Sequence, residues 1–247
     1  MVLSVIQFAV TTILAVVCAH SLSISGGDIP VIALMVPALW ILPQGGASGL
    51  LLLASVAIYG FTLPHQPIAM SLSILILLPL LMVTFSRRSS VYVLISSAAI
   101  IFVMQLGIMV TQAEAKIPGS WEVTLIQTLS MMGIWYAMSH WRSSSQHSWW
   151  SLAFVLALWI GGWTHAAVIA LCLVGIIASA ETLPKLSKQM KWSTLLTWTL
   201  PTVAFAAVVA AGNIEVPNPV FVVWIFLLGT AWATDYILRA CDEEQTH

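Results

Sequence analysis

Arg87-Arg88-Ser89-Ser90 is followed by VYVLISSAAIIFVMQLGIMVT, residues 91–111. That run holds no Lys, Arg, Asp or Glu, and its one amide is Gln105. Coiled as an α-helix, it would reach about 31 Å, the thickness of a bilayer's hydrocarbon core. Its apolar residues are continuous and do not alternate with polar ones, so it does not read as a strand of a membrane barrel. The stretch reads as a membrane helix with a basic flank at one end.

The rest of the 247-residue chain repeats this pattern. Charged residues make up 7% and hydrophobic residues 60%, with a mean hydropathy of +1.00. Soluble domains carry roughly 25% charge, so this chain could not furnish a soluble monomer's surface. Disorder needs the opposite composition. The formal net charge of −1 gives no nucleic-acid footprint. The expected fold is therefore an all-α polytopic membrane protein.

Ten apolar segments can be drawn, at 2–22, 29–43, 47–63, 68–85, 91–111, 122–140, 149–161, 163–180, 192–212 and 219–239. Gly26-Gly27-Asp28, Pro43-Gln44-Gly45-Gly46 and Pro64-His65-Gln66-Pro67 are typical punctuation between them. The first run has no basic n-region, so it reads as a membrane helix and not a cleaved signal. If every segment crosses and the N-terminus is cytoplasmic, Arg87, Arg88, Arg142, Lys185, Lys188, Lys191 and Arg239 fall inside and Lys116 falls outside. That is the positive-inside bias, and it places both termini in the cytoplasm of a cell or inner membrane. Segments 29–43 and 149–161 are short for a full crossing, so the pairs 29–63 and 149–180 are expected to be tilted short helices or re-entrant hairpins.

The two short pairs resemble each other. Ala38-Leu39-Trp40-Ile41 precedes Gly45-Gly46, and Ala157-Leu158-Trp159-Ile160 precedes Gly161-Gly162. Pro79 and Pro201 lie in comparable positions of the segments that follow. The offset suggests two halves, 1–118 and 119–247, each of five segments and inverted relative to one another. This arrangement resembles that of the small drug/metabolite transporters. The resemblance is architectural and implies alternating access between the halves.

Broken helices expose backbone groups that are costly in lipid and tolerable around a cavity. The candidate substrate-binding residues are therefore Trp40, Gln44, Gly45, Gly46, Trp159, Gly161, Gly162 and His165. The two indoles could stack on a solute, and His165 could carry a proton near neutral pH. Gln105 and Gln127 are further amides within apolar segments, and Asp235 pairs with Arg239 at helical i+4 spacing. Most of the other tryptophans lie at segment ends, where they anchor helices at the interface.

Several chemistries lack support. Cys18, Cys172 and Cys241 have no metal or disulfide spacing. No hydrolase motif and no intramembrane lysine suited to a Schiff base can be read, and no cofactor is implied. The expectation is a non-enzymatic transporter of a small, neutral or weakly charged solute. The alternative is a non-catalytic subunit or sensor module acting through a partner: 43–60 loosely resembles a segment of bacterial multi-spanning sensory domains, and any energy from ATP would need a separate subunit. A membrane enzyme acting on lipid has the least support.

Overall fold

The computed structural model describes residues 2–41, 46–86, 89–140, 149–186, 192–212 and 214–245. The described residues contain helices and turns and no strand. The helices are α1 (Val2–Ile24), α2 (Val31–Ile41), α3 (Gly46–Thr62), α4 (Ile68–Ser73), α5 (Leu77–Thr84), α6 (Val91–Ala113), α7 (Trp121–Ser139), α8 (Ala153–Ile160), α9 (Thr164–Leu186), α10 (Trp192–Ala211) and α11 (Asn218–Gln245). Single 3₁₀ turns occupy Leu63–His65, Ile74–Ile76 and Trp149–Leu152.

Six helices among the described residues are long and apolar enough to cross a membrane: Leu3–Ile24, Gly46–His65, Val91–Ala113, Thr164–Leu183, Thr194–Ala211 and Asn218–Ala240. Their outward faces are apolar. Leu3, Phe102, Leu171 and Val222 are all more than half exposed. Soluble proteins rarely leave such continuous apolar surface open, and here lipid is the medium it suits. The protein is a multi-pass membrane protein in contact with the bilayer.

Helix ends follow local chemistry. Ser90 and Ser120 adopt extended backbone, and their hydroxyls accept from Val93 N and Val123 N, each at 3.3 Å. These caps satisfy amides that a helix start leaves orphaned. In both short pairs the first member is the short one. α2 has 11 residues and α8 has 8, whereas α3 has 17 and α9 has 23.

Packing places two helices at the centre of the bundle. α5 lies against α6, α7, α10 and α11, and α4 against α7, α10 and α11. Every residue from Ile68 to Thr84 is buried or half-buried, and Ala69, Ser71, Leu80 and Thr84 are fully buried. Around this centre, α1 packs on α9 and α10, α3 packs on α7, and α2 touches α3, α8 and α9. Close crossings use small residues. Gly133 has Ser55 at the position its Cβ would take, and Gly60 meets Leu34 in the same way. Small residues let membrane helices approach where water supplies no driving force between them.

Candidate functional site: buried amides beside a broken helix

The central helix runs from Ile68 to Thr84 and tightens in its middle. Residues 68–84 read as helix, then a 3₁₀ turn at Ile74–Ile76, then helix again. Pro79 supplies a cause. It has no N–H to give the Leu75 carbonyl, and its ring crowds that carbonyl. The tighter i+3 bonding of a 3₁₀ turn accommodates the fault, and such a turn in mid-helix commonly marks a hinge. The break lies about 9–12 Å along the helix from its Ile68 end.

A small cavity adjoins the break. It is lined by Met70, Ser73, Ile74 and Ile76 of the broken helix, by Gln105 and Ile108 of α6, by Thr124 of α7, and by Val220, Val223, Trp224 and Leu227 of α11. Its volume is about 10 Å³, the room of roughly one water molecule. Trp224 is 8% exposed, and its Nε1 has no protein acceptor. Its ring stacks on Phe205 of α10 at 4.6 Å, which fixes the indole in place. Gln105 is 7% exposed. No charged side chain lines the cavity.

Thr124 links this cavity to a denser polar cluster where α4 begins, α6 ends and α7 begins. Gln66 donates through Nε2 to Gln127 Oε1 and, at 3.3 Å, to Ser71 Oγ. Gln127 Nε2 donates to the same Ser71 Oγ at 3.0 Å. Tyr59 donates to the Ser71 carbonyl at 2.7 Å. The Thr124 hydroxyl lies 2.8 Å from Gln112 Oε1, 3.1 Å from Gln66 Oε1 and 3.3 Å from the Ser120 carbonyl. One hydroxyl has one proton, so those three oxygens compete for it. Gln112 Nε2 is buried and has no protein acceptor. Gly119 closes over the cluster with φ +103°, and a Cβ there would come 2.9 Å from Gln112 Nε2. Only glycine suits that position, on grounds of both backbone and space.

The residues singled out in the sequence fall elsewhere. Trp40 is buried in the main core, whereas Trp159 is 61% exposed. Gly46 begins α3, and Gly161 and Gly162 end α8; all three are exposed, as is His165. None of them lines the cavity at the break. Gln44 and Gly45 lie outside the described residues. Asp235 and Arg239 form the ion pair that their spacing suggests, at 2.6 Å. No group of three or more metal-ligating side chains occurs among the described residues.

The amide cluster is also written in the sequence, in a form the search for apolar segments passes over. Thr124, Gln127, Thr128 and Met131 follow i, i+3, i+4, i+7 spacing and are the buried stripe of α7. In a membrane helix a polar stripe at helical period marks the face turned to protein. Gln66, within a Pro-His-Gln-Pro turn, carries no such signal.

A shallow groove of about 570 Å³ lies between α10 and α11, with Trp198, Val203, Ile225, Leu228 and Trp232 among its walls. It is open and apolar, which suits lipid chains and not a polar solute. Comparison with protein families, with curated proteins and with solved structures yields no match.

Proposed function

We propose that this protein moves a small, neutral or weakly charged solute across the membrane by alternating access. The observation that carries the reading is the 3₁₀ turn within the helix 68–84. It is buried at the centre of the bundle, and a cavity lined by an amide and an indole adjoins the break. A 3₁₀ turn in mid-helix commonly marks a hinge, and alternating access needs one. The lining has no charge, so an inorganic ion would find no counter-charge there.

The reading includes ten membrane segments in two inverted halves, with both termini cytoplasmic. The basic residues support it, and so does packing. α1 pairs with α9 as α7 pairs with α3. α1 meets α10 as α7 meets α5. These two exchanged pairings are the kind that a pseudo-two-fold axis between the halves produces, whereas α2 on α9 and α5 on α11 have no comparable counterparts. In this scheme the Gln66–Gln127–Thr124–Gln112 cluster closes the outer mouth. Its hydrogen bonds are made in the closed state and would be released to water on opening, so the two states need differ little in energy. The central break lets the upper part of the helix tilt without moving α5.

Purified protein in liposomes tests this reading directly. Time-dependent uptake of at least one small uncharged solute above that of protein-free liposomes is expected. No uptake across a broad panel of amides, alcohols and sugars would refute it.

A further inference from the structure

We infer that the cavity at the break is a recognition site for a small carboxamide or urea-like molecule. This deepens the transport reading and rests on it for its biological purpose. Two features converge. The Trp224 indole N–H is more than nine-tenths buried and has no protein acceptor. A buried donor left without an acceptor is destabilising, and a ligand carbonyl oxygen would relieve it. Gln105 supplies an amide that both donates and accepts, the complement of another amide. The remaining lining is aliphatic, including Met70, Ile108 and Leu227.

A carboxylate or an ammonium ion would arrive with a full charge and meet no opposite charge, so desolvation excludes both. A pure hydrocarbon would leave the Trp224 donor unmet. The cavity's present 10 Å³ is smaller than any carboxamide. Binding therefore requires α11 to move away from the 3₁₀ turn, and the fault at Ile74–Ile76 is where the broken helix can yield.

Acetamide, with acetate and methylammonium as charged counterparts of similar size, tests the site on the full-length protein in mild detergent. Acetamide should raise the unfolding temperature in a saturable way, as a ligand that binds only the folded state does. The two ions should not. The shift should be lost in Gln105→Met and in Trp224→Phe. The glutamine variant keeps the side-chain length, so the test stands even if the tryptophan variant folds poorly. No shift with wild-type protein, or an equal shift in Gln105→Met, would overturn the assignment. A shift that depends on Gln105, combined with no acetamide flux in liposomes, would uphold the site and sink the transport reading instead.

Discussion

Replacing Gln127 with Met removes two polar contacts and keeps the side chain's length. The Gln66 Nε2 bond to Gln127 Oε1 is lost, and so is the 3.0 Å bond from Gln127 Nε2 to Ser71 Oγ. Gln66 keeps its Ser71 contact at 3.3 Å, a weak one. A stranded buried amide costs about 1–3 kcal/mol in soluble proteins, whereas interhelical hydrogen bonds in membranes average about 0.6 kcal/mol. Gln127 is fully buried between protein elements, so the upper part of that membrane range applies, and a loss of about 1–2 kcal/mol is expected. Gln66→Met should cost a similar amount. The double variant should cost less than the sum, because neither amide is then left facing an apolar partner, although Ser71 Oγ loses both of its donors. Equilibrium unfolding of all four proteins in mixed detergent micelles gives the coupling energy, expected near 1 kcal/mol. Additivity within about 0.3 kcal/mol would refute the idea that these amides form one unit.

Other outcomes follow from the same geometry. Gly119→Ala should lower the unfolding midpoint by the equivalent of about 1–2 kcal/mol, since it places a Cβ on a left-handed residue against Gln112. Pro79→Ala restores a helical N–H, so it should raise stability in the same unfolding assay while slowing solute exchange in liposomes; faster exchange would count against the hinge. Asp235→Asn should change stability by less than about 1 kcal/mol and leave uptake intact, because its pair with Arg239 is partly exposed near the end of the apolar span.

The six long helices were legible because their apolar runs are long and end near glycine, proline or charge. The run at 91–111 became α6. The shortness of 29–43 and 149–161 also survives, as α2 and α8. The site was less legible. Trp40 and Trp159 match as words in the sequence, yet one is buried and the other is 61% exposed. A local match carries no information on which way a helix turns its faces. The break at Ile74–Ile76 depends on Pro79, which is plain in the sequence. Its importance depends on burial by four other helices, which only packing reveals. Gln66 and Gln127 lie 61 residues apart, and no local pattern announces that they meet.

The central claim is that a neutral solute passes through this bundle by alternating access. Counterflow tests it most directly, with proteoliposomes preloaded with unlabelled solute and diluted into a trace of labelled solute. The account predicts a transient accumulation of label that saturates with solute concentration and falls in Gln105→Met. Uptake that is linear, unsaturated and indifferent to preloading would contradict it.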